Sequence, residues 1–95
     1  MPYYVYIIET ETGTYYTGQT NDLKRRLNEH VSGNSKSAAY FHMHQPKYLV
    51  YTEECSTRGD ALRRERQIKR NRRLKLFLIG DRRDLQGLVN SETIS

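Results

Sequence analysis

Cysteine is nearly missing from this chain: Cys55 is the only one. That excludes a disulfide framework and a cysteine-built zinc site, and it suits a reducing, cytoplasmic compartment. Long apolar runs are missing too. Nothing approaches the roughly 18 residues a membrane helix needs, and no signal-peptide pattern opens the chain. No internal repeat or low-complexity tract stands out. The 95 residues suffice for one domain with one modest core, since only 36% are apolar. Eight tyrosines supply large, partly polar side chains to cover a sheet. Acids are outnumbered, eleven against sixteen Lys and Arg, and the resulting +5 suits a polyanionic partner. The expectation is a small, soluble, basic, intracellular domain, with a monomer as the default.

What is present is concentrated between Tyr3 and His30. Tyr3 to Glu9 is aromatic and β-branched, which predicts a strand buried on both faces. Thr10 to Gly13 predicts a turn, and Thr14 to Thr20 a second, antiparallel strand. An odd-length loop closing in a bulge at Gly13 would put Tyr6 and Tyr16 on one face, nearly opposite; an even loop would separate them. The odd loop is expected, with Gly18 leaving a gap on that face where a ligand could approach. Asn21 is the expected cap of a helix running to about Ser32 and stopped by Gly33. Leu23, Leu27 and Val31 form its buried stripe, Arg26 and His30 lie along one border, and Arg25 faces solvent.

Gly33 to Pro46 reads as a long loop, of the kind that is usually functional or mobile. Within it, His42-Met43-His44 has metal-ligand spacing but no third ligand nearby, and loop histidines are the expectation. Lys47 to Cys55 predicts a third strand, with Leu49 and Tyr51 alternating against Tyr48 and Val50. Ser56 or Thr57 can cap a second helix reaching about Asn71, whose apolar face is Ala61, Leu62 and Ile68. Glu65 falls in the middle of that face, the one charge that breaks the pattern. A third, short helix would use Leu74, Phe77, Leu78 and Ile79 and end near Gly80. Residues 81–95 read as a polar tail, frayed at its end, outside a domain spanning 1–80.

Phosphodiester cleavage needs a group to deprotonate the nucleophile, cations to neutralise the phosphate, and usually a divalent metal. Arg26 offers a forked, permanently charged donor pair that matches two phosphate oxygens. Glu65 could hold Mg2+ through one carboxylate with water completing the shell. Tyr6, Tyr16 or His30 could move the proton. Each residue also has a plainer reading: strand tyrosines pack, His30 can favour a helix end, and Glu65 can pair with Arg26 or Lys69. Their order and spacing carry the information. The basic run from Arg63 to Arg73, with few matching acids, points to backbone contact with nucleic acid through Arg63, Arg66, Lys69, Arg70 and Arg73. Cys55 is expected to be structural.

Tyr4-Val5-Tyr6, Tyr16-Thr17-Gly18, Arg26, His30 and Glu65 together resemble the GIY-YIG endonuclease superfamily, in its branch of small stand-alone proteins. The resemblance covers roughly Tyr3 to Ile79. Its most specific stretches are YTGQTNDLKRRLNEH and ALRRERQIKR followed by KLFLI. It implies an α+β fold: a three-stranded antiparallel sheet flanked by helices, in the order β-β-α-β-α-α. It also implies metal-dependent hydrolysis of DNA, single- or double-stranded. By position, Tyr6 and Tyr16 would be the two motif tyrosines, Arg26 the phosphate-binding arginine and Glu65 the ligand of one Mg2+ or Mn2+. His30 would serve at the site periphery or in proton transfer. Tyr4 stands where the motif has glycine and Thr17 where it has isoleucine. The asparagine that often completes such sites after the last helix has no counterpart, since Asp81 follows Gly80 and the next asparagine is Asn90. With no appended DNA-recognition domain, low sequence specificity is expected. A non-catalytic nucleic-acid-binding module on the same fold is the alternative, and a protein-interaction domain a third.

Overall fold

The run Tyr3–Thr10 forms β1, the strand on which both halves of the core are built. Its even positions Tyr6 and Ile8 enter one apolar cluster, its odd positions Val5 and Ile7 another. A strand buried on both faces must be central, and β1 lies between β2 (Tyr15–Thr20) and β3 (Pro46–Cys55), antiparallel to each. In this computed structural model the described residues are 2–33 and 38–90.

The β1–β2 turn has the expected odd loop. Thr10 pairs with Thr14 through its amide, and Gly13 takes φ 82°, a left-handed value that favours glycine. Tyr6 lies opposite Gly18 and Tyr16 opposite Ile8, so the two tyrosines share a face on the diagonal.

On that face lies α1 (Leu23–Ser32), with Leu23, Leu27 and His30 buried and Gly33 ending it at φ 67°. Its cap is Asp22, not Asn21: the Asp22 carboxylate accepts from the Arg25 amide at 3.1 Å. Asn21 accepts from the Arg25 guanidinium instead. On the same face lie α2 (Tyr40–Met43) and α5 (Leu85–Val89). The other face is covered by α3 (Arg58–Arg70), capped by Thr57, and α4 (Arg72–Leu78), capped by Asn71.

Four expectations need correction. The sheet has four strands, because Arg83–Asp84 pairs with β3 as β4. Residues 83–90 are therefore part of the fold rather than a polar tail. Leu85 is fully buried, Leu88 and Val89 pack beside it at helical spacing, and Asp84 caps α5. Arg82 ties the segment back to β1, its guanidinium donating to both carboxylate oxygens of Glu9. The frayed end expected of the 81–95 tail lies outside the described residues, which stop at 90.

Second, α2 interrupts the expected loop and delivers Phe41 into the core. Third, the alternation along β3 breaks at Val50. Ile7 pairs with Tyr51 and Ile8 with Leu49, so Val50 is an extra residue, and past it Tyr51 joins Tyr48 and Val50 on the α3 side instead of Leu49 on the other. The Gly80 amide donates to its carbonyl at 2.8 Å. Fourth, Phe77 is 83% exposed, because α4 packs through Leu74 and Leu78.

Candidate active site

Gly18 makes the centre of the site possible. A side chain there would have its Cβ 2.6 Å from the Tyr6 hydroxyl and 3.0 Å from Cε2 of Tyr16. The two rings close over the glycine, with centroids 6.3 Å apart. The gap expected for a ligand is thus filled by the Tyr6 phenol. His30, one turn beyond Arg26 on α1, meets that phenol with Nε2 at 2.7 Å. Phe41 closes the cluster against His30 and Tyr16, at 4.5 and 4.7 Å between centroids.

Burial controls the charge states. Tyr6 and His30 are each only 1% exposed. Burial pushes the Tyr6 phenol well above its usual range; the negative charges of Tyr16 and Glu65 add to this, while Arg26 opposes it. Burial likewise pulls His30 down to about 4, helped by the positive charge of Arg26. At neutral pH the pair is therefore a protonated phenol against a neutral imidazole. Nδ1 of His30 has no hydrogen-bond partner among the described residues. His30, expected on the border of the α1 apolar stripe, is buried with Leu23 and Leu27.

Arg26 is half-buried and pairs with Glu29 at 2.9 Å. Arg25 lies 4.0 Å from the same carboxylate, and both arginines line one polar cavity of about 450 Å³ with Arg58, Tyr3 and Gln19. Sequence periodicity separated Arg25 from Arg26, but a guanidinium is long enough for both to reach one opening. Arg58 was missed, because nothing local distinguishes it from the other exposed arginines.

Glu65 comes from the opposite side of the sheet. Its helix α3 packs against β1 and β2, and its carboxylate is near enough to act on the Tyr6 phenol. It sits between the buried Ala61 and Ile68, with its side chain 19% exposed, and pairs with Lys69 at 3.5 Å. Lys69 in turn lies 6.0 Å from the centroid of the Tyr16 ring. The fold thus brings together Tyr6, Tyr16, Arg26, His30 and Glu65.

The other basic positions divide. Arg66, Arg70 and Arg73 are exposed on α3 and α4, and Arg63 is exposed but paired with Asp60. Arg64 is pinned to Glu53 at 3.0 Å. His44 stacks on Tyr40 and bonds Thr12, while His42 is exposed. Burial and Glu53 push the Cys55 thiol up, which disfavours the thiolate.

Residues 2–76 match the family described as the GIY-YIG catalytic domain. The chain belongs to the GIY-YIG family. This GIY-YIG domain is 39% identical to a UPF0213 protein of Streptococcus agalactiae over 87 residues, 90% of this chain and 97% of that one. It is 48% identical to a UPF0213 protein of Pseudomonas aeruginosa over 65 residues, 68% of this chain; that match spans only 61% of the longer relative. The solution NMR structure of a UPF0213 protein from Bacillus halodurans superposes with a TM-score of 0.52, at 40% identity, over 82% of each chain. The family is one of nucleases. No described helix is long and apolar enough to cross a membrane.

GIY-YIG nucleases generally use divalent metals, and the donor set here is sparse. Among the described residues no group of three His, Cys, Asp or Glu side chains converges on one point. One carboxylate, from Glu65, is near enough to act on the Tyr6 phenol. It fits Mg2+, which keeps most of its water and accepts one carboxylate plus substrate phosphate. Glu65 is the carboxylate beside the phenols.

Proposed function

We propose that this GIY-YIG domain is a metal-dependent endonuclease that hydrolyses phosphodiester bonds of DNA with low sequence specificity, as in DNA repair or processing. One observation carries the reading: a guanidinium from α1 and a carboxylate from α3 both act on the Tyr6 phenol, which closes with Tyr16 over Gly18. Arg26 would bind two oxygens of the scissile phosphate. Glu65 would hold Mg2+ or Mn2+, which when bound would neutralise phosphate charge and favour a phenolate nearby. Of the two tyrosines, Tyr16 is the better base. It is half-exposed, and among the described residues no hydrogen bond holds its hydroxyl, whereas Tyr6 is buried, protonated and fixed by His30. As phenolate, Tyr16 would take the proton of the attacking water. Tyr6 and His30 then position Tyr16 and Arg26 rather than exchange protons with solvent. The exposed cations Arg63, Arg66, Lys69, Arg70 and Arg73 would hold the backbone without reading bases.

The alternative, a binding module without catalysis, draws on the Glu65–Lys69 pair, which gives the carboxylate a partner without any metal. Cleavage of single- and double-stranded DNA in Mg2+ or Mn2+ against EDTA separates the two. Glu65→Ala and Arg26→Ala should each lower metal-dependent cleavage by about 100-fold or more, with the circular dichroism spectrum unchanged. Wild-type-like cleavage by either variant, or salt-sensitive binding without cutting by the parent protein, would remove the catalytic assignment.

A further inference from the structure

A second cavity, about 360 Å³, opens between the β1–β2 turn and α4, beside the site but apart from its reacting groups. Its charged lining is Lys69, Arg72 and Lys75, and no acid lines it. Among the described residues neither Arg72 nor Lys75 has an ion-pair partner, and the one partner of Lys69 is Glu65. Lys75 is half-buried, and burial together with the charges of Lys69 and Arg72 pulls its ammonium below the usual lysine range. Like charges gathered in a concave, partly desolvated place repel one another, and an anion there would relieve the repulsion. Tyr15 and Tyr40 form the uncharged walls. Flat phenols beside cations suit a nucleotide better than a free ion, because bases stack on aromatic rings while cations hold the backbone.

Lys69 connects this cavity to the reacting groups. One side chain lines the cavity, pairs with Glu65 and lies over the Tyr16 ring. We propose that the Lys69–Arg72–Lys75 cavity is a subsite for a backbone phosphate of the nucleic-acid strand, flanking the phosphate bound at Arg26. This rests on the nuclease reading and adds Arg72 and Lys75 to the binding surface. The strand would cross the β2 edge from the Arg25–Arg26–Arg58 cavity, past Glu65, to the turn at Gly13.

The test is the salt dependence of binding, measured in EDTA by fluorescence anisotropy with labelled single-stranded and duplex DNA. Arg72→Ala/Lys75→Ala should weaken binding about 10-fold and lower the slope of log affinity against log salt by roughly 0.7 to 0.9, the loss of one phosphate contact. Lys24→Ala/Lys47→Ala, which removes two exposed cations that line neither cavity, serves as the charge-matched control and should change affinity less than 2-fold. Lys75→Met keeps the apolar stem, so it separates loss of charge from loss of packing. Equal weakening by the control pair, or wild-type affinity in Arg72→Ala/Lys75→Ala, would overturn the subsite while leaving the nuclease reading intact. The predicted pattern without any cleavage in Mg2+ would uphold the subsite and overturn the nuclease reading.

Discussion

Beneath α3 and α4, the sheet offers Val5, Ile7 and Val50 to Ala61 and Ile68, an aliphatic contact. On its other face Tyr6 meets Tyr16 and His30, Phe41 closes against those two rings, and Ile8, Leu27, Leu49 and Leu85 flank them. The two faces bury adjacent residues of the same strand, yet one is chemically silent and the other carries a phenol–imidazole pair. Polar atoms can be held at 2.7 Å inside a core only where surrounding side chains fix them. The aliphatic face supplies rigidity to the strand; the aromatic face uses it. Glu65 belongs to the aliphatic side by helix, yet its carboxylate acts on the Tyr6 phenol of the aromatic side.

The comparison can be broken from several directions. Leu85→Ala should cost about 2–5 kcal/mol, as for other fully buried leucines, because it opens a cavity behind the aromatic face. Urea unfolding would measure it, and a cost near zero would return α5 to the status of a tail. Gly18→Ala should cost roughly 1–3 kcal/mol, since the new methyl must displace a phenol that His30 holds. The tyrosine NMR shifts should move with it, and an unperturbed Tyr6 would deny that the contact is tight.

Acid should weaken the aromatic face through His30. His30 titrates near 6.5 when unfolded but near 4 in the folded protein, so the unfolded state binds the extra proton first. Its contribution is complete above about 6.5 and is lost as pH falls from there toward 4. The loss is on the order of 2 kcal/mol. Thermal unfolding from pH 7 to 4 should show it, and His30→Gln should flatten the profile across that window. The smallest effect belongs to the aliphatic face. Its one flaw among the described residues is the Thr17 hydroxyl, 1% exposed and without a hydrogen-bond partner there. Thr17→Val should stabilise the protein by about 1 kcal/mol, read as a raised urea midpoint.

Much of the site was legible beforehand because it is built from short-range devices. Gly13 in a left-handed turn sets the hairpin phase, which puts Tyr6 and Tyr16 on one face. Helical spacing from Asp22 to Gly33 puts Arg26 and His30 on one side of α1. A lone acid between Ala61 and Ile68 marked Glu65. The misses have the opposite character. A two-residue strand such as β4 has no period to read, and a four-residue helix such as α2 barely more than one turn. The bulge at Val50 is defined by its partner strand, not by its own residues. Nothing local says that Tyr6 will occupy the space above Gly18, since those residues lie opposite each other only after pairing.

Taken alone, the sequence determined which residues share a face on β1, β2 and α1, because two periods and a few caps act within one or two turns of chain. It determined the family through the same local runs. Only the tertiary structure decided that His30 is buried and neutral, that Tyr6 fills the expected gap, and that Glu65 comes near enough to act on the Tyr6 phenol. It alone gathered Lys69, Arg72 and Lys75 around one cavity against the hairpin turn. Burial and electrostatic proximity are sums over every element that arrives at a point, and no single stretch of chain contains that sum.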